Sequence, residues 1–382
     1  MSDYFNLLDE WGPEKIVVVS DPDIGMQGVL VIDNTARGIG KGGTRMTPTV
    51  DVPEIARLAR VMTWKWAAVD LFYGGAKAGI RFDPTSVDKE RVLRSFVRKL
   101  RNEVPEEYVF GLDMGLTEVD AAIINDELGR GAAVGTPYEL GGIPYDQLGV
   151  TGHGVAEVVD EIADQQNLQG SSVAVQGFGA VGHSVAKRLH ELGYRVTAVS
   201  SVKGALANPD GLDIPALLQE RAELGDDFVY NHPKLAIEPG QELFTQADIV
   251  VPAALQNVIS TANVGDIKAK LVVEAANLPT DAGAQAALRE KGVTVVPDFI
   301  ANAGGVVSAA FAMEARFSPF RVDPTIILET VSTKLRANAI TTLDEAQRSG
   351  ETTHEAARRL AQQRVRAAMD LRGRRMLQPS VV

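Results

Sequence analysis

The sequence predicts an α/β fold built as two domains, on three observations. The chain has 382 residues, long for one domain and ordinary for two. Short apolar, β-branched runs alternate with amphipathic helical stretches, the pattern of sheets covered by helices on both faces. Hydrophobic residues make up 45% and charged residues 23%, a globular mixture that can bury a large core. The net charge of −12 disfavours nucleic acid or an acidic membrane as partner. No apolar run reaches the roughly eighteen residues of a membrane span. The start "MSDYFNLLDEWGPEK" lacks the basic head and apolar core of a secretory signal, so a cytoplasmic location is expected. There is no cysteine, which removes disulfides, thiolate nucleophiles and thiolate metal sites. His153, His183, His190, His232 and His354 are scattered without ligand spacing, so no metal site is expected.

The elements follow in order. "KIVVVS" (15–20) and "GVLVID", beginning at Gly28, read as strands separated by the turn-like "DPDIGM". "DVPEIARLARVMTWKWAAV" has helical spacing, with Ile55, Leu58, Ala59, Met62 and Trp66 on one face. Asp51 is its expected cap and Pro53 lies just inside. "DKERVLRSFVRKLRNEV" is a second amphipathic helix, and "EEYVFGLDMG" a strand ending in a loop. The Gly/Pro stretch "GGIPYDQLGV" (141–150) marks the domain boundary. Beyond it, "SSVAVQGFGAVGHSVAKRLHELGYRVTAVSS" reads strand, glycine turn, helix, strand, and "ADIVVPAAL", "AKLVVEAAN" and "GVTVVPDFI" supply further buried strands. From about 325 the chain is helical with a break at "QRSGETTHE". The expected domains are 1–147 and 148–339, with the helices of 340–382 packing back onto the first.

"VAVQGFGAVG" places Gly177, Gly179 and Gly182 in the G-x-G-x-x-G pattern, after an apolar strand and at the start of a helix. Gly177 permits the tight turn, Gly179 lets the backbone approach a pyrophosphate, and Gly182 lets helix and strand pack closely. The helix N-terminus supplies donors and a favourable dipole. The second domain is therefore expected to be a Rossmann dinucleotide-binding sheet, with Phe178, Ala180 and Val181 of the same turn at the cofactor. The next strand ends "VTAVSSVKG", with Ser200, Ser201 and Lys203 where an NAD reader usually places a carboxylate. NADP is therefore expected to be accepted at least as well as NAD.

Three lysines are regularly placed: Lys41 in "GKGGTRM", Lys65 in "MTWKWA" and Lys77 in "YGGAK", with Asp113 following in "FGLDMG". Together with "ELGG", "VTGHGV", "VQGFGAVG", "PAAL", "EAANLPT" and "DFIANAGGVVSA", in that order along almost the whole chain, this resembles the glutamate/leucine/phenylalanine/valine dehydrogenase family. The resemblance implies oxidative deamination of an L-amino acid to a 2-oxo acid and ammonia, in a cleft between the domains of a homo-oligomer, hexamer or octamer. It implies Lys77 as the catalytic lysine and Asp113 as the proton shuttle. Lys65 would hold the α-carboxylate, and Lys41, Gly42, Gly43, Met62, Val306 and Ala309 would line the substrate. Thr151 and Asn277 would orient the nicotinamide, Ala253 and Ala254 would lie along the cofactor, and Asn302 would border both ligands. The chemistry agrees: a lysine acting as acid or base needs a lowered pKa, which apolar walls and neighbouring amines provide.

The chain is a hybrid within that family. Lys41 resembles the lysine that glutamate-specific members aim at the side-chain carboxylate, and an ammonium facing an apolar side chain is costly. Glutamate is therefore the expected substrate. Against it, Ala309 stands where glutamate-specific members carry serine, and the short lead before "GGTRM" resembles the leucine branch. A neutral aliphatic or aromatic amino acid (leucine, valine, phenylalanine or tryptophan) remains the alternative. A non-catalytic NADP-binding sensor is the alternative of another class.

Overall fold

The computed structural model describes residues 4–373. It divides into two units: residues up to 144 with 309–323 and the chain from 359 onward, and residues 145–308 with 324–358.

The first unit contains β1 (Lys15–Asp21), β2 (Met26–Asn34), β3 (Gly40–Thr47), α1 (Val52–Ala68), β4 (Gly74–Arg81), α2 (Lys89–Lys99), β5 (Tyr108–Leu112) and α3 (Glu118–Leu128). Its sheet runs β1-β2-β4-β3-β5. The β1, β2 and β4 pairings are antiparallel, and β4, β3 and β5 are parallel. Alternation along β2 decides both faces. Val29 and Val31 pack with Ile55 and Ala59 of α1. Leu30 and Ile32 join Phe96 of α2 and Ile124 of α3. Helix α1 starts where the sequence places it, with the Asp51 side chain accepting from the Glu54 amide at 2.8 Å.

β3 and β4 carry little strand signal, because "GKGGTRMT" and "GGAKAGIR" are rich in glycine. Their glycines answer to space. A Cβ on Gly42 would lie 1.7 Å from the Ala76 carbonyl oxygen, and one on Gly75 would lie 2.0 Å from Thr63 Oγ1 of α1. Helix α1 packs directly on the β4 backbone, and Trp66 Nε1 donates to the Lys41 carbonyl at 3.1 Å.

The second unit begins with the short α4 (Tyr145–Leu148) and α5 (Val150–Gln165). β6 (Ser172–Gln176), α6 (Ala180–Glu191), β7 (Arg195–Ser201), β8 (Gly204–Ala207), α7 (Ile214–Leu224) and β9 (Ala236–Ile237) follow. Then come β10 (Ile249–Pro252), β11 (Leu271–Val273), α8 (Ala282–Glu290), β12 (Thr294–Val296) and α9 (Asp298–Ala301). The sheet order is β12-β11-β10-β6-β7-β8-β9. The first five strands are parallel, a Rossmann sheet, and β8 and β9 extend it antiparallel.

α10 (Gly304–Ala315), α11 (Pro324–Ser349) and α12 (Thr353–Leu371) complete the chain. Residues 340–358, expected with the first domain, group with the second unit. The reason lies in α11, whose buried stripe Ile327, Val331, Leu335 and Ala339 continues through the turns in question. Arg336 also binds Glu157, Asp160 and Glu161 of α5, at 2.6–3.2 Å. Only from 359 does α12 belong to the first unit, where Arg364 donates to the carbonyls of Ala67 and Ala68. The part of the expected helix beyond 373 lies outside the described residues.

Candidate active site

In the first unit, the parallel strands β3, β4 and β5 bring the expected polar residues together. Lys77 leaves the middle of β4, and Asp113 follows β5 directly. Their ammonium and carboxylate form an ion pair, with Arg45 Nε 3.4 Å from the same Oδ2. Burial alone would raise the Asp113 carboxyl. The Lys77 charge and hydrogen bond, the Met114 amide and Arg45 outweigh it and hold it below the usual carboxylate range. Gly43 makes room for this pair, since a Cβ there would meet Asp113 Cβ at 2.9 Å and Lys77 Nζ at 3.2 Å. A Cβ on Gly42 would meet Met62 Cγ at 3.3 Å. Lys65 is half-buried on α1, one residue before Trp66.

Lys41 differs in kind. It is 3% exposed, and its Nζ has only two long contacts, to the carbonyls of Gly42 and Val109 at 3.4 Å. No carboxylate pairs with it among the described residues. Burial first, then the charges of Arg316 and Lys77, bring its amine down to about 7. Lys77, by contrast, is paired with Asp113. Arg316 was not singled out by the sequence, because it lies on a distant segment. Its guanidinium donates to the carbonyls of Gly131 and Met313 at 2.8 and 2.9 Å, and it lines a cavity of about 690 Å³ with Arg130 and Arg321.

In the second unit the glycine turn has the geometry its pattern requires. Gly177 has φ +87°, and a Cβ on Gly182 would lie 1.9 Å from the Gly177 carbonyl oxygen. A Cβ on Gly179 would meet nothing within 4 Å, so that face of the turn is open beside exposed Ala180 and half-buried Val181 at the start of α6. Ala253 donates to the Gln176 carbonyl at 3.0 Å, which sets Ala253 and Ala254 next to the same turn. Asn302 Nδ2 donates to the Ala275 carbonyl and to Asn277 Oδ1, each at 3.2 Å, while its own Oδ1 is buried without a partner. Gly305 brings α10 onto the first turn of α5, where a Cβ would lie 3.5 Å from Thr151 Oγ1. An open glycine turn at a helix N-terminus and an orphaned amide oxygen suit a dinucleotide.

Two expectations at this turn need correction. The Phe178 side chain is fully buried against Phe228, 5.2 Å between ring centroids, so only its backbone faces the turn. Ser200 is also buried: its Oγ accepts from the Gly177 amide at 2.8 Å and donates to Glu242 Oε1 at 2.9 Å. Its hydroxyl supports the turn from beneath and is spent. Glu242 lies 42 residues on from Ser200, a distance no local pattern signals. Ser201 donates to the Asp226 carbonyl at 3.1 Å, and Lys203 is exposed in the turn to β8. His153 is a packing residue, with Nε2 2.8 Å from Ser332 Oγ. Ser308 is fully buried with its hydroxyl unpartnered, while Ala309 and Val306 are half-buried.

Residues 141–373 match the model of the glutamate/leucine/phenylalanine/valine dehydrogenases, and residues 13–130 match that family's dimerisation domain. The chain belongs to this family. It is an NAD(P)-dependent amino-acid dehydrogenase. It is 36% identical over 327 residues to the NADP-specific glutamate dehydrogenase of Saccharolobus shibatae, covering 78% of this chain and 74% of that one. Among solved structures it is similar to the hetero-hexameric glutamate dehydrogenase of Thermus thermophilus in its Leu-bound form. There the identity is 31% and the TM-score 0.82, over 96% of this chain and 92% of that one. The glutamate dehydrogenase of Peptoniphilus asaccharolyticus matches with 28% identity and a TM-score of 0.85, over 97% and 94%. No helix among the described residues is long and apolar enough to cross a membrane.

Proposed function

We propose that the chain catalyses the reversible oxidative deamination of L-glutamate to its 2-oxo acid and ammonia, with NADP accepted. The observation that carries this reading is Lys41, a fully buried amine with no carboxylate of its own and a second cation, Arg316, acting on it. A buried cation left without a partner is costly, and an anionic side chain supplies the missing charge. The curated relative is a glutamate dehydrogenase specific for NADP, and this agrees.

In this mechanism Lys41 binds the side-chain carboxylate and Lys65 the α-carboxylate, against the wall of Gly42, Gly43, Met62, Val306 and Ala309. Asp113 takes a proton from the substrate ammonium. The glycine turn, Thr151, Asn277 and Asn302 would hold the dinucleotide, whose nicotinamide would supply the acceptor for the hydride of Cα. With its proton released as the substrate binds, Lys77 orients and deprotonates the water that adds to Cα of the resulting iminium. Asp113 then returns that proton to nitrogen and takes the hydroxyl proton as ammonia leaves and the carbonyl forms. The ion pair between Lys77 and Asp113 supports a shared proton path. We place the protein in the cytoplasm as a homo-oligomer, hexamer or octamer.

A second reading, a neutral aliphatic or aromatic substrate, is favoured by Ala309 and by the burial of Ser308, whose hydroxyl cannot stand in for the missing serine. Lys41→Leu separates the two. Activity on glutamate is expected to collapse while that on leucine or phenylalanine rises. An unchanged glutamate rate would overturn the role given to Lys41.

A further inference from the structure

Glu274, Asp298 and His354 form a buried cluster that the reaction does not use. They are 0%, 5% and 9% exposed, and one ligand-type atom from each lies within 4.8 Å of the others. Glu274 follows β11, Asp298 opens α9, and His354 lies in the first turn of α12. His354 Nε2 donates to Glu274 Oε2 at 2.7 Å, and the Asp298 amide donates to the same oxygen at 3.0 Å. Asp298 Oδ1 accepts from the Phe299 amide at 2.7 Å, and Oδ2 accepts from the Leu278 amide at 2.8 Å. Three of the four carboxylate oxygens are thus engaged with protein N–H groups. Glu274 Oε1 and His354 Nδ1 remain without partners. The cluster is a hydrogen-bonded brace.

The brace ends on strained backbone. Leu278 has φ +50°, a conformation costly for a residue with a branched side chain. Two bonds fix it: its amide to Asp298, and its carbonyl accepting from the Asn257 amide at 2.9 Å. Asn277, immediately before it, meets the Asn302 side chain. A strained residue persists only where its surroundings over-determine it, and here the determinants lead through Asp298 and Glu274 to His354.

We propose that His354 is a positioning residue for the cofactor: through Glu274 and Asp298 it fixes the Asn277–Leu278 turn that holds the nicotinamide. This rests on the cofactor reading of Asn277. His354 touches neither substrate nor cofactor, so its effect belongs to cofactor affinity. The test is initial-rate kinetics of the intact enzyme with NADP varied at saturating amino acid, and with the amino acid varied at saturating NADP. His354→Phe, which leaves Glu274 short of a buried donor, is expected to raise the cofactor KM by about tenfold, with the amino-acid KM unchanged. His354→Gln keeps an N–H donor and is expected to recover most of that loss. Thermal unfolding verifies that each variant is folded. An unchanged cofactor KM in a folded His354→Phe enzyme would overturn the proposal. So would an equal loss in both variants, or a zinc-dependent rise in the Tm of the native enzyme that His354→Gln abolishes. Asn277→Ala separates the two levels. If it leaves the cofactor KM unchanged, the cofactor reading itself fails; if it raises the KM while His354→Phe does not, only the brace fails.

Discussion

Lys41 pays for its buried position, and the sign of that cost can be measured. Burial brings its amine from an ordinary 10.5 down to about 7. Below about 7 the folded and unfolded chains both hold the proton, and the fold bears the whole cost of a buried charge. Between about 7 and 10.5 the unfolded chain binds more protons, so this contribution to stability rises with pH. Lys41→Leu removes the cost. The gain in Tm of the variant over the native protein should therefore be larger near pH 6 than near pH 9.5; equal gains at both would contradict the burial account. Much of this site was legible in the residues. The three lysines, Asp113 and the glycine turn are each tied to a short motif. Arg316, Glu242 and the brace of His354 were not, because each acts on a partner 42 or more residues away through a contact that only the folded chain creates.

At the scale of elements, glycine has two distinct uses here, and substitution separates them. In β4 a Cβ on Gly75 would meet the backbone nitrogen of Thr63 at 2.3 Å and the Ala59 carbonyl oxygen at 2.6 Å, so α1 would have to move off the sheet. Gly75→Ala should cost about 1–3 kcal/mol of stability, the usual range for overpacking. Gly179 has φ −73° and open space before it. Gly179→Ala should leave stability within about 0.5 kcal/mol and instead raise the cofactor KM. Chemical denaturation and cofactor titration check the pair, and a destabilised Gly179→Ala enzyme would contradict the assignment of that face to a ligand. The same contrast explains which elements the sequence revealed. β6, β7, β10 and β11 are dense β-branched runs, and α1 carries its own cap and apolar face. β3 and β4 carry little strand signal because their glycines serve close approach, while β8 and β9 are too short, at four and two residues, for a periodic signal.

The whole molecule joins two sheets of different construction by a chain that passes between the units more than once. Contacts assign 309–323 to the first unit and 324–358 to the second. Sequence reasoning puts one boundary at 147/148, in the stretch "GGIPYDQLGV" that glycine and proline punctuate, and contacts divide the units at 144/145. Of the three later crossings, one falls at the start of α11, and the other two fall inside α10 and α12, where helical periodicity continues unbroken and gives no sign of a change of partner. Composition speaks at this scale too: the net charge of −12 disfavours nucleic acid or an acidic membrane as partner. The central claim is that the buried, unpaired Lys41 selects an anionic side chain. The measurement that tests it most directly is the initial rate of cofactor reduction with L-glutamate, L-aspartate, L-leucine, L-valine, L-phenylalanine and L-tryptophan, each with NAD and with NADP. The account predicts the highest kcat/KM with L-glutamate and clear activity with NADP. Turnover of the apolar amino acids with little from glutamate would contradict it, and would make Ala309 the residue that decides specificity.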